Sequence, residues 1–183
     1  MRHEAKVTCK QYVFTQQGGR EDFYKAFNEA VKTKRREYGS NFLFHSLHFW
    51  LTRAIQILRN KQGCHVTYGR TNNRFTGEVN QIIQFGTFAS SSKEENLHFG
   101  NKTCFKITTC FGAYLEKYPK LGDHEREVLI PPYETFKIIN KDKFEKDLAD
   151  CEIVYVLNST GFKSNLDCHL AKHKLVTVFL VQM

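Results

Sequence analysis

Two glutamates separated by one residue, Glu125 and Glu127, stand directly before the apolar run Val128-Leu129-Ile130 and the pair Pro131-Pro132. Residues i and i+2 of a strand share a face, so both carboxylates are expected to point the same way from a strand end. Like charges held that close cost free energy unless a cation sits opposite them. The pair is therefore a candidate site for a cationic partner. A second candidate is the triplet Ser90-Ser91-Ser92, which follows Phe85-Gly86-Thr87-Phe88-Ala89. Alternation puts one of its hydroxyls on the face opposite its neighbours, at a strand end where a serine can reach a ligand. The third is Cys64-His65-Val66-Thr67-Tyr68-Gly69-Arg70-Thr71, a strand that closes on a small residue and an arginine.

Metal chemistry has little support. None of the six cysteines (Cys9, Cys64, Cys104, Cys110, Cys151, Cys168) forms a CxxC spacing, so zinc is not expected. His45 and His48 lie three apart on a helical stripe with no third ligand near, and read as packing or surface residues.

The elements that must position these residues fall into two groups. Residues 21–38 place Phe23, Phe27, Ala30 and Val31 at helical spacing, between Gly18-Gly19 and Gly39-Ser40. A second helix is expected from about Phe44 to Arg59, with Leu47, Trp50, Leu51, Ala54, Ile55 and Leu58 on one stripe. After Gly63, short runs rich in Val, Ile, Phe, Tyr and Thr predict strands at 64–68, 81–88, 103–110, 126–130, 135–139, 152–158 and 175–181. Residues 141–150 read as a short helix or a loop. Helices followed by strands give an α+β domain, with the helices packed on a mostly antiparallel sheet system.

At 183 residues the chain suits a single domain with a sizeable core. The net charge of +8 permits attraction to anions. Its one dense patch, Lys32, Lys34, Arg35 and Arg36, carries no nucleic-acid-binding signature and reads as the solvated face of a helix. The six cysteines and the sequons Asn101-Lys102-Thr103 and Asn158-Ser159-Thr160 favour an oxidising, secretory setting. The first 14 residues carry Arg2, Glu4 and Lys6 and no apolar core, so they do not read as a signal peptide. The run 175–181 is too short to span a bilayer.

Phe85-Gly86-Thr87-Phe88-Ala89-Ser90-Ser91-Ser92 and Glu127-Val128-Leu129-Ile130-Pro131-Pro132-Tyr133-Glu134 together resemble the vertebrate ecto-type, arginine-specific mono-ADP-ribosyltransferases. His45-Ser46-Leu47-His48-Phe49 and Asn101-Lys102-Thr103-Cys104-Phe105-Lys106-Ile107 are similar to the fish members. The resemblance runs from about Phe23 to about Cys168, leaving 1–20 as an unplaced segment and 21–183 as one domain. It implies N-terminal helices on a two-sheet β core and NAD as co-substrate, with no metal. It also implies a protein arginine as acceptor, a monomeric chain with no nucleic-acid partner, and a secreted or extracellular-surface location.

By motif, Glu127 resembles the catalytic glutamate, Glu125 the glutamate that confers arginine preference, and Ser90 the first serine of a Ser-x-Ser element that orients NAD. Cys64 and Cys110 sit where the family has a disulfide. Cys168 resembles a cysteine whose partner lies near the N-terminus, here Cys9, and Cys104 with Cys151 would form a third pair. A carboxylate at Glu127 suits the positive charge left on ribose when nicotinamide departs. One at Glu125 suits the incoming guanidinium.

The resemblance breaks at one place. The family carries its phosphate-binding arginine directly after the aromatic residue of the first strand, where this chain has Tyr68 followed by Gly69. Ser90 lies 21 residues after Gly69, the family's separation from arginine to serine, so Gly69 occupies the arginine's place and joins Tyr68 and Arg70 as a residue of the expected NAD site. Three outcomes stand open: Arg70 swings in, helped by a bulge at the glycine; Arg74 substitutes from the next turn; or the chain is an impaired, NAD-binding pseudoenzyme. A more remote alternative, resting only on charge, is a basic module for anionic partners.

Overall fold

The computed structural model describes residues 21–38, 40–95, 100–115, 126–142 and 146–164. Helix α1 (Glu21–Thr33) and helix α2 (His45–Arg59) form where the apolar spacing predicts them, joined through a 3-10 turn at Arg35–Glu37. Phe27, Ala30 and Val31 of α1 and Leu51, Ala54, Ile55 and Leu58 of α2 are buried. Spacings of three, four and seven residues put them on one stripe of each helix.

Eight strands follow: β1 (His65–Thr71), β2 (Ile82–Ile83), β3 (Ala89–Ser92), β4 (Thr103–Thr109), β5 (Ala113–Tyr114), β6 (Glu127–Ile130), β7 (Glu134–Asp142) and β8 (Val154–Phe162). Their spatial order is β2-β7-β8-β4-β1-β3-β6-β5. The β4–β8 pair is parallel, and the other pairs are antiparallel. Although the order is continuous, the register joins β1 to β3 at the single pair Tyr68↔Ser92. One seam thus divides a five-stranded half from a three-stranded half.

Two expected boundaries move. The run 81–88 holds strand only at Ile82–Ile83, and the strand that matters begins at Ala89, on the serines themselves. Gly86 at φ +73 turns the chain between them, a conformation that other residues adopt only at a cost. In the stretch 141–150, β7 runs on to Asp142 and a 3-10 turn occupies Lys146–Leu148. The expected strand 175–181 lies outside the described residues.

Adjacent residues of β6 serve different cores, as alternation demands. Leu129 packs under the helices with Phe27, Leu51, Ile55, Phe88 and Leu115. Ile130 joins Phe105, Ile107, Phe136, Ile138, Tyr155 and Leu157 on the other face. A smaller cluster gathers Tyr68, Cys104, Leu148, Cys151 and Val154. Disulfides Cys64–Cys110 and Cys104–Cys151 are both formed; Cys9 and Cys168 lie outside the described residues.

Two polar groups are fully committed to this interior. His48 is buried among the rings of Tyr38, Phe42 and Phe88, and His45 packs against Tyr38 and Phe42, so both act in packing. Glu134, with no exposed surface, accepts hydrogen bonds from Thr109 Oγ1 (2.6 Å), Ser159 Oγ (2.7 Å), Cys110 N–H (2.8 Å) and Phe111 N–H (3.1 Å).

Glu134→Leu leaves those donors buried without their acceptor and is expected to cost about 3–5 kcal/mol in denaturant unfolding. Burial first, and the neighbouring His45 second, lower the pKa of His48 from 6.5 to about 4. The unfolded chain therefore takes up a proton that the folded chain refuses. Stability should be full above about pH 6.5 and fall as pH drops toward 4, by about 2–3 kcal/mol. His48→Phe should flatten that part of a pH-dependent unfolding series.

Candidate active site

Of the candidate residues, Ser90 and Glu127 meet, on the two strands beside the seam. Strand β3 pairs with β6 from Ala89↔Ile130 to Ser92↔Glu127, which sets Ser90 diagonally beside Glu127. Ser90 Oγ donates a hydrogen bond to Glu127 Oε1. The carbonyl of Glu127 accepts the N–H of Leu115 at 2.9 Å, so the strand start is held from both sides.

The three serines divide their work. Ser91 Oγ donates to the carbonyl of Val128 (3.0 Å), and Ser92 Oγ accepts the N–H of Glu94 (2.9 Å). Both are buried and fasten backbone. Ser90 is the exposed hydroxyl of the triplet.

Immediately before Glu127, Arg126 adopts φ +35. This left-handed backbone costs a residue with a Cβ about 1–2 kcal/mol. Strand β6 begins at Glu127, and Glu125, the other glutamate of the expected pair, lies outside the described residues. The carbonyl of Arg126 accepts the N–H of Lys93 (3.1 Å), and its guanidinium pairs with Glu94 at 3.2 Å. Lys93 lies over the Tyr114 ring at 3.9 Å. Burial, then the charge of Arg126, lower its ammonium pKa.

On the other side of the seam, Arg70 turns away from Ser90 and Glu127. Its Nη1 meets Asp150 Oδ2 at 2.7 Å and Cys151 Sγ at 3.6 Å, while Nη2 donates to the Glu95 carbonyl at 3.2 Å. Its side chain is 7% exposed. Arg74 is largely exposed and faces Glu152 at 3.5 Å. Tyr68 Oη bonds Glu95 Oε1 (3.1 Å) and Asp147 Oδ2 (3.3 Å). Burial first, with the Glu95 hydrogen bond next, pushes its pKa up to about 12, so it acts as a neutral donor.

Gly69 has no conformation that requires glycine. A Cβ added there would meet Phe105 at 3.7 Å and Ile107 at 3.8 Å, ordinary contact distances. Alternation along β1 aims it at that core face, opposite the side taken by Tyr68 and Arg70.

A separate cavity of about 550 Å³ opens beyond the other end of β6, lined by Phe49, Arg53 and Arg59 of α2 with Phe111, Tyr133 and Phe162. It includes neither Ser90 nor Glu127. Among the described residues no three of His, Cys, Asp and Glu converge as a metal site, and no helix is long and apolar enough to cross a membrane.

The family model described as NAD:arginine ADP-ribosyltransferase matches residues 8–161. The chain belongs to that family. Ecto-ADP-ribosyltransferase 4 of Homo sapiens is 38% identical over 161 residues, 82% of this chain and 48% of the relative. NAD(P)(+)--arginine ADP-ribosyltransferase 1 of Gallus gallus is 37% identical over 153 residues, 80% of this chain and 47% of the relative. The chain thus spans about half the length of these curated relatives.

Among solved structures, the eucaryotic mono-ADP-ribosyltransferase ART2.2 superposes with a TM-score of 0.60 at 27% identity, covering 91% of this chain and 79% of that one. A variant of the same enzyme in complex with NAD gives 0.57 at 26% identity, with the same coverage. The enzymatic component C2-I of the C2-toxin of Clostridium botulinum, 14% identical with a TM-score of 0.60, shares the fold; it covers 86% of this chain and 44% of that one.

Sequence reasoning missed Glu94, Glu95 and Asp150, which fix Arg126, Tyr68 and Arg70. They sit in polar stretches without periodicity, and Asp150 is 80 residues from the arginine it holds. Asp150→Asn removes the carboxylate that, among the described residues, pairs with the nearly buried Arg70 guanidinium. Because Asp150 is itself 61% exposed, screening limits the loss to about 1–2 kcal/mol, read by thermal denaturation.

Proposed function

We propose that the chain transfers ADP-ribose from NAD to arginine side chains of proteins, releasing nicotinamide. The observation that carries this reading is the Ser90–Glu127 contact at the seam, on the two motifs expected to hold and activate NAD. Bound NAD would supply the N-glycosidic bond that breaks and a ribose that becomes electron-poor as nicotinamide leaves.

In this reading Glu127 provides a fixed negative charge against that ribose. Ser90 holds the carboxylate in one orientation while remaining accessible. Glu125 is proposed to receive the acceptor guanidinium, for which paired carboxylate oxygens are the natural partner. The acceptor's place can also be taken by water, which would make free ADP-ribose instead. The disulfides and the ecto-enzyme relatives support an extracellular setting.

The residues fit the ribose end of NAD better than its pyrophosphate end. Gly69 offers no charge there, and Arg70 is committed to Asp150 and Glu95. This favours a second reading, an NAD-binding chain with weakened turnover. A missing charge-assisted contact is worth ~1.5–3 kcal/mol, about 10- to 150-fold in affinity.

Labelled NAD with an arginine-rich acceptor tests both readings. Wild type should modify arginine, and Glu127→Ala should abolish transfer without changing the melting temperature. Unaltered transfer by Glu127→Ala would sink the assignment. Gly69→Arg, whose Cβ would meet Phe105 and Ile107 at ordinary contact distances, should lower KM for NAD about 10-fold or more if the glycine is the weak point. An unchanged KM would mean that the missing charge does not limit binding.

A further inference from the structure

We propose that the cavity beyond the far end of β6 is a second ligand site, one that takes a nucleoside monophosphate: its arginines hold the phosphate and its rings hold the base. The site stands apart from Ser90 and Glu127 and does not depend on how those residues are read. Its volume of about 550 Å³ lies in the range of pockets that enclose small molecules.

Helix α2 has two working faces. Leu51, Ala54, Ile55 and Leu58 are buried on the core side. Phe49, Thr52, Arg53, Gln56 and Arg59 recur at spacings of three and four and share the opposite side, which walls the cavity. Arg35, from the 3-10 turn after α1, joins Arg53 and Arg59 there. Three arginines thus border one space, and no Asp or Glu is among the described residues that line it. Arg35 and Arg53 are exposed, and Arg53 Nη1 donates to the neutral Gln56 Oε1 at 2.8 Å. Positive charge gathered without a carboxylate favours an anion, and the guanidinium fork matches a phosphate.

The remaining wall is largely aromatic. Phe111 meets Phe162 at 5.4 Å and Tyr133 at 6.4 Å, and Arg59 lies over the Phe111 ring at 4.2 Å. Phe162 is 66% exposed, so its ring serves the cavity and not a core. A flat base stacks on such rings and on a guanidinium plane alike.

One polar atom of the lining is unpaid by the fold itself: Thr52 Oγ1 is buried and has no hydrogen-bond partner, a state folded proteins rarely leave unexplained. Burial raises the pKa of Tyr133 against the pull of Gln56 and Arg59 beside it, so its hydroxyl stays a neutral donor. A base edge offers the donors and acceptors that these hydroxyls need, which a hydrocarbon ligand does not.

Isothermal titration of the full chain with AMP tests the proposal. AMP should saturate one site and bind at least about 10-fold more tightly than ribose 5-phosphate, which lacks the base, or adenosine, which lacks the charge. Arg53→Gln and Arg35→Gln should each weaken AMP about 10-fold at low salt. The melting temperature of the free chain should not change in either variant, because both side chains are exposed. A carbocyclic NAD analogue that cannot be cleaved should leave bound AMP in place. Displacement by that analogue would put AMP in the Ser90–Glu127 site and overturn the proposal. So would equal affinity for ribose 5-phosphate or adenosine, undiminished AMP affinity in Arg53→Gln, or no binding up to about 1 mM AMP.

Discussion

A carboxylate buried without a cation can persist only if hydrogen bonds replace the water it has lost. Glu134 meets that condition with two hydroxyls and two backbone N–H groups. Its donors come from the end of β4, the turn that follows, and β8, and Glu134 itself opens β7. One side chain thereby fixes three strands of the larger half of the sheet. It also anchors the far end of the Pro131-Pro132-Tyr133 connection through which β6 leaves the seam. The position of Glu127 at the near end of β6 depends on that anchorage.

The seam follows from how little joins its two sides. The register joins β1 to β3 at the single pair Tyr68↔Ser92, against a ladder of seven pairs between β1 and β4. Glu95, in the loop after β3, adds bonds to Tyr68 and Arg70 of β1 across that thin pairing. Rigidity at the site is thus local and built from polar groups, while the apolar clusters on either face supply most of the stability.

The helices and most strands were legible because their signals are local. Phe27, Ala30 and Val31, and likewise Leu51, Ala54, Ile55 and Leu58, carry the helical period in the sequence itself. Strand β3 was misjudged because Ile82, Ile83, Phe85 and Phe88 look more strand-like than three serines do. Tertiary pairing with β6 overrides that preference. The two-residue strand β5 left no pattern long enough to notice. Motif resemblance singled out Ser90 and Glu127, which the pairing of β3 with β6 brings together, and it noted the absence of charge at Gly69. The fate of Arg70 was not, because it is decided by Asp150 and by a loop carbonyl, neither of which any local pattern links to it.

The two cystines bear on how this molecule can be made. Cys64–Cys110 closes one end of the β1–β4 pair, and Cys104–Cys151 joins the opposite end of β4 to the segment that enters β8. The central strand is therefore pinned at both ends, to neighbours on both sides. Sliding β4 by one residue against either neighbour would move its whole hydrophobic set to the wrong face, and the covalent pins forbid it once formed. Before they form, the parallel β4–β8 pairing must close a long stretch of chain with nothing local to guide it. Synthesis in a reducing compartment would thus leave the strand register of this sheet to be found by hydrophobic matching alone.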